Sequence, residues 1–573
     1  FDYERARQVD QRIKKTGSDG RLLADESDDV YHVNLAEKLL IPALSKLSNL
    51  VLDGGLWLNT QRPEWNDANN ALVGNGLSVV TLCYLRRYLK FIARIISADN
   101  ADEVILSKQV ADWLSDISSA LSDHAGLTQQ ERVSDADRMS LLNALGIAFG
   151  DYRHQLYTTG LVGKTTMPRD QVLTMIESAL GMVDHSIRVN RREDGLYHAY
   201  NLLDVSASTD EVGVEHLYEM LEGQVAVLSS GLLGTEEVLK LLEVMRGSAL
   251  YRPDQDSYIL YPNRDLPAFL VKNVVPAEQV EKSKLLCALI QDEEQEIIAR
   301  DAAGQYRFNS AFYNAKELAC ALAKLGSQSK WSELVKQESA RVGEIYENVF
   351  NHKAFTGRSG GMYGYEGLGC IYWHMISKLL LAVQENYEQA VQQGADEQTV
   401  HALAQAYYDV RHGLGFNKTP EEYGAFPTDP YSHTPGFAGA RQPGMTGQVK
   451  EEVITRWGEL GVTITQGAIR FAPTLIRRKE FLRIESRFNY YDVLDNPQSI
   501  ELAEGTLGFT FCQVPVVYTL SDQQASVVVT LNDGKALTYA GDTIPADVAC
   551  EVFGRTGRVA RIDVVVPDGA VLD

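Results

Sequence analysis

Apolar residues recur at helical spacing along most of the chain. Leu35, Leu39, Leu40, Ala43, Leu44 and Leu47 share one face of a helix over Asn34 to Leu50, and residues 2 to 15 read as a shorter, charged one. The same period marks Leu77 to Ala98, Asp102 to His124, Asp135 to Thr159, Asp170 to Val189 and His216 to Ser229, with polar or glycine-containing breaks between them. Helix follows helix with almost no strand signal to about Leu460, which predicts a mainly α fold of antiparallel helix pairs arranged as an (α/α)6-type toroid. No fixed-period repeat marks a solenoid.

After Gly461 the pattern changes to period two. Strands are expected at Thr463 to Thr465, Ala468 to Phe471, Phe481 to Glu485, Val514 to Leu520, Ser526 to Leu531, Asp547 to Val552 and Arg561 to Val566, with a hairpin turn at Asn532-Asp533-Gly534. Two domains are expected: a helical toroid over 1–460 and a C-terminal β-sandwich over 461–573 of roughly a hundred residues.

Composition narrows the partners. The 573 residues carry 54 Lys and Arg against 77 Asp and Glu, a net charge of −23 that argues against nucleic acid. A phosphate site would have to be a local positive pocket in a negative field. The six cysteines are scattered without a Cys-x-x-Cys pair, so neither a disulfide framework nor a metal site is expected. No apolar run reaches membrane-spanning length and no signal peptide opens the chain, so a cytoplasmic protein away from membranes is expected. Phe1 stands where an initiator Met would be, which suggests a start after a cut or inside a longer product.

Three polar clusters interrupt the helices. The first, Glu64-Trp65-Asn66-Asp67, lies on a connection between helices, where reactive groups tend to be presented. The second runs from a glycine-rich stretch through Tyr365 and Glu366 to His374. The third follows a long turn-rich loop holding His433: Gly436 to Lys450 contains Arg441, Pro443-Gly444 and Thr446-Gly447, then opens a helix. Amide N–H groups of a first helical turn lack intrahelical partners and suit an anion. Each cluster also has a plainer reading: Asp67 bonding within an asparagine-rich turn, His374 as a satisfied helix histidine, Thr446 as a helix cap. The aromatic, Pro-containing stretch Tyr251 to Arg264 reads equally as a sugar-contacting loop or as a surface loop with its three tyrosines packed down.

The run from Gly55 to Gly74, with Trp65-Asn66-Asp67 at its centre, resembles the Gly-Asp-Trp-Asn-Asp-Gly segment of glycoside hydrolase family 94, the inverting cellobiose and chitobiose phosphorylases and their cyclic β-glucan synthase relatives. Thr446-Gly447 is similar to that family's phosphate loop, followed here too by a helix, Leu460-Gly461-Val462 and a β-domain. The resemblance implies Asp67 as general acid, with Glu64 the alternative, and Trp65 packing on the sugar. It further implies Glu366, Tyr365 and Gln224 as substrate contacts, and phosphate held by Thr446, Gly447, His374, Arg441 and His433. No cofactor is implied beyond inorganic phosphate as co-substrate. An inverting hydrolase or a β-glucan transglycosylase is the alternative enzyme, and a noncatalytic glycan-binding subunit the alternative outside enzymes. Two departures stand out: the family's upstream sugar-holding Arg and Asp have no counterpart, and the stretch between Asp67 and Glu366 is longer than in the family. The partners expected are an oligosaccharide and either a second chain or upstream segment completing the toroid, or a second copy in a homodimer.

Overall fold

The computed structural model describes residues 2–25, 27, 29–59, 72, 74–205, 210–253, 256–262, 268–350, 373–414 and 449–572. Helices dominate to Glu459 and sheets follow from Val462, so the fold is mainly α with C-terminal β-sheets. Among the described residues no helix is long and apolar enough to cross a membrane.

The long amphipathic segments form helices close to their expected bounds: Leu35–Leu47, Val79–Ala98, Asp135–Thr158 and Arg169–Val189. Their starts follow local chemistry. Asn34, Ser78 and Ser134 each accept a backbone N–H from the first turn, of Glu37, Thr81 and Asp137 respectively.

Strands inside the helical region depart from the expectation. Glu103–Ser107, expected as the start of a helix, pairs antiparallel with Lys164–Pro168, and its helix begins only at Lys108. Likewise Gly213–His216 is a strand, and the following helix is Leu221–Ser229. It is the edge of an antiparallel five-stranded sheet in the order Leu50–Val51, Gly55–Trp57, Gly76–Ser78, Tyr200–Asp204, Gly213–His216. Strands of two to five residues are too short to display period two, and their partners lie far along the chain.

Four helices stand in a parallel row, here named by their first residues: Val79, Leu221, Trp373 (to Gln392) and Val449 (to Glu459). Val79 N donates to Ala199 O. Gly223 lies against the same Ala199, while further along Arg86 reaches Ser230 O over 2.8 Å. The next pair is tied by Asn386 to Leu228 O, and the last by His374 beside Glu451 at one end and Gln384 to Thr455 O at the other. Two neighbours run the opposite way. Arg169–Val189 meets Val79–Ala98 through Arg169 to Asp99 O and Arg86 to Asp184, and Glu397–His412 folds back beside the Trp373 helix.

The apolar cores separate into three clusters. The largest joins residues from Leu40 to Tyr261 with those from Met375 to Leu414 and with Leu475. A second gathers only Val275 to Phe350, and a third Leu460 to Val571. Tyr258 and Tyr261 are buried in the first, with Tyr251 packed beside them, so these three rings of the Tyr251 stretch pack down.

The C-terminal region holds a three-stranded sheet with Ala468–Phe471 at its centre. Beside it is a five-stranded sheet in the order Thr506–Phe511, Val514–Ser521, Val559–Pro567, Ser526–Leu531, Ala536–Ala540. The turn at Asn532-Asp533-Gly534 joins the last two as expected, with Gly534 at φ 83. Two expected strands are corrected. Asp547 to Val552 lies in the helix Ala546–Phe553, whose buried Ala549 and Val552 are three apart; Phe481 to Glu485 forms no strand, and the hairpin begins at Ser486. The apolar positions of Asp547 to Val552 fit a helical period as well as an extended one in so short a window.

Candidate active site

The Val79 and Leu221 helices start against the five-stranded sheet, and the first turns of the Trp373 and Val449 helices lie beside that of Leu221. Strand Gly76–Ser78 runs directly into the Val79 helix, and Ser78 pairs with Tyr200 of the neighbouring strand. Leu221 N, the first donor of its helix, is taken by Leu260 O. Gly223 follows because a Cβ there would sit 2.9 Å from Ala199 Cα.

Charge concentrates at these ends. Glu222 is 8 % exposed and its Oε2 accepts the Tyr200 hydroxyl over 2.9 Å. Lys378, one turn along from His374, lies in the field of both Glu222 and Glu451; burial pulls its pKa down while the two carboxylates oppose that pull. His374 Nε2 is 3.7 Å from Glu451 Oε1, as is Lys450 Nζ. Burial, with Lys378 and Lys450 adding to it, outweighs that carboxylate and pushes the imidazole down to about 4. At neutral pH His374 is therefore a neutral donor and acceptor, and the local positive charge belongs to the lysines. Two carboxylates that can accept hydroxyls, a partly desolvated ammonium and a neutral imidazole form a set able to bind a polyol and an anion together.

Of the site residues expected from sequence, His374 and Gln224 are described. Gln224 is 0 % exposed, and its amide is engaged with backbone: Oε1 accepts Tyr197 N, while Nε2 donates to the carbonyls of Tyr197 and Met220. That makes it a brace for the approach to the Tyr200 strand, with partners other than a sugar. Glu64, Trp65, Asp67, Tyr365, Glu366, His433, Arg441, Thr446 and Gly447 lie outside the described residues. Segment 351–372 precedes Trp373, segment 415–448 precedes Val449, and 60–71 joins two strands of the sheet above the helix starts. At the foot of that strand connection a cavity of about 550 Å³ is lined by Trp57, Asn49, Asn59, Asn75, Asn143 and Arg153, among others.

Glu222, Lys378 and Glu451 were not singled out by the sequence reading. Each had a signal: Glu222 is two residues from Gln224, Lys378 follows His374 at i+4 and so shares its face, and Glu451 is four residues past Gly447 in sequence.

A family model described as GH149 phosphorylase insertion domain 2 matches residues 266–353. These residues contain the whole of the separate core from Val275 to Phe350. The match supports a glycoside phosphorylase-type family, without supporting family 94 itself. It also accounts for much of the extra length between Asp67 and Glu366. No curated protein matches the chain.

Proposed function

We propose that the chain is an inverting glycoside phosphorylase acting on β-linked gluco-oligosaccharides. The match of residues 266–353 to a phosphorylase insertion domain carries this reading. The parallel row with antiparallel neighbours supports it, being what the inner helices of a helix-pair toroid require.

Inversion needs a proton for the leaving oxygen and a nucleophile on the opposite face of the sugar. Asp67, or Glu64 in its place, donates the proton as the C1–O bond breaks, with Trp65 against the ring and Glu366 and Tyr365 on its hydroxyls. Inorganic phosphate, already anionic, attacks C1 without a base and leaves as the sugar 1-phosphate. Thr446, Gly447, Arg441 and His433 hold it. His374 contributes a hydrogen bond and Lys378 the charge, which a protein of net charge −23 must supply locally.

The test is product analysis with β-linked gluco-oligosaccharides and inorganic phosphate. Sugar 1-phosphate that forms only with phosphate is expected. Free sugar released at the same rate without phosphate would instead make the chain an inverting hydrolase, and longer glucans formed without phosphate a transglycosylase. Sugar binding without turnover would leave a glycan-binding subunit.

A further inference from the structure

The stretch Thr474 to Arg478 passes between the helices and the end of the last strand, fixed on both sides. Tyr387 and Tyr408 donate their hydroxyls to the carbonyls of Thr474 and Leu475, each over 2.8 Å. Opposite, Leu572 N donates to Ile476 O and Arg478 N to Leu572 O. The seam borders an open cavity of about 780 Å³, with Val391, Val400 and Val571 among its apolar walls and His401, Gln405 and Arg477 among its polar ones.

Arg477 is held flat: its guanidinium carbon is 3.5 Å from the centre of the Tyr408 ring. The carboxylates around it are matched by other arginines. Asp568 pairs with Arg478 at 3.1 Å, Glu480 with Arg456 at 2.8 Å, and Glu459 with both Arg411 and Arg456. Glu397, also on the cavity, is exposed in the first turn of its helix, which already favours a negative charge. Among the described residues Arg477 therefore has no carboxylate partner, and it lines a cavity of ligand size.

We propose that this seam binds a small organic phosphate of monosaccharide size, with Arg477 taking the phosphate oxygens. A planar guanidinium fixed by stacking offers paired donors at little entropic cost, which matches a phosphate better than a neutral ligand. The cavity is far larger than a bare phosphate ion, and His401 supplies an imidazole and Gln405, whose Nε2 donates to Asp409, an amide oxygen for hydroxyls. The site is separate from the helix ends described above and does not depend on the reaction assigned to them.

Calorimetric titration of the full chain with glucose 6-phosphate, inorganic phosphate and glucose tests it. Glucose 6-phosphate should bind at a site lost in Val400→Trp, more tightly than inorganic phosphate binds that site, and glucose should not bind there. Arg477→Met should weaken the binding about tenfold or more, the scale of losing a charge-assisted pair. Val400→Trp should do the same by filling the cavity with Arg477 intact, and it decides the matter if Arg477→Met fails to fold. No binding of glucose 6-phosphate, unchanged affinity in Val400→Trp, or a Val400→Trp-sensitive binding of glucose or of inorganic phosphate as tight as that of glucose 6-phosphate would each overturn the proposal.

Discussion

The Tyr200 hydroxyl lies 2.9 Å from Glu222 Oε2, and this bond ties the five-stranded sheet to the start of a helix in the parallel row. Both groups are nearly removed from solvent, at 2 % and 8 % exposure. Tyr200→Phe keeps the ring and deletes this one donor to a buried carboxylate, a loss of about 1 to 3 kcal/mol in stability. Chemical denaturation of the two proteins measures it. An unchanged midpoint would mean that the bond does not fasten the sheet to the row.

His374 should make the protein more sensitive to acid. Its imidazole is held down at about 4, against an ordinary value near 6.5, so the unfolded chain takes up the proton first as pH falls. The stability it contributes is full above about 6.5 and is lost progressively toward about 4. His374→Asn should flatten the decline in melting temperature between pH 7 and pH 5. A decline as steep as in the parent would mean that His374 titrates normally.

Glu388 should act with the opposite sign. Burial, with Glu385 adding to it, pushes its carboxyl up to about 7, so the folded state favours the protonated form. Its contribution is present below about 4.5 and is lost as pH rises through about 7. Glu388→Gln keeps the shape without the charge and should stabilise the protein at pH 8 by roughly 1 to 3 kcal/mol, with little effect at pH 5. Equal effects at both values would count against a raised pKa.

How much of this was legible in the sequence depends on the range of the forces involved. Long apolar faces such as that of Val79 to Ala98 announce themselves, because burial of one face repeats every turn. The Glu103–Ser107 strand did not, since its helical or extended state is decided by pairing with Lys164–Pro168, some sixty residues on. The same limit hid the site's charges. Lys378 looks like an ordinary helix lysine until the Leu221 and Val449 helices bring Glu222 and Glu451 beside it. Gln224 was noticed for its chemistry, yet its partners are backbone groups that only the folded Tyr197 turn supplies.

The proposed acid can be separated from its neighbour by one pair of variants. Asp67→Asn should lower turnover by about two to four orders of magnitude, the usual contribution of a positioned acid, while oligosaccharide binding persists. Glu64→Gln should retain most of the rate. If the two behave the other way round, Glu64 is the acid and the Trp65-Asn66-Asp67 resemblance is misaligned by three residues.

The phosphate site gives the sharpest kinetic prediction, since phosphate alone distinguishes phosphorolysis from the other enzyme readings. Lys378→Met removes the ammonium between Glu222 and Glu451 and leaves their negative charge uncompensated, so an incoming dianion meets repulsion where it had attraction. Thr446→Val keeps its shape and removes a donor, and losing one hydrogen bond to a charged group costs roughly 1.5 to 3 kcal/mol. Either change should therefore raise the KM for phosphate by about ten- to a hundredfold, while the KM for the oligosaccharide changes much less. A purely structural role for Lys378 would instead depress kcat and shift both KM values together. Initial rates measured against phosphate at saturating oligosaccharide, and then the reverse, separate the two outcomes. Identical phosphate curves for the parent and both variants would remove the anion from this end of the helix row.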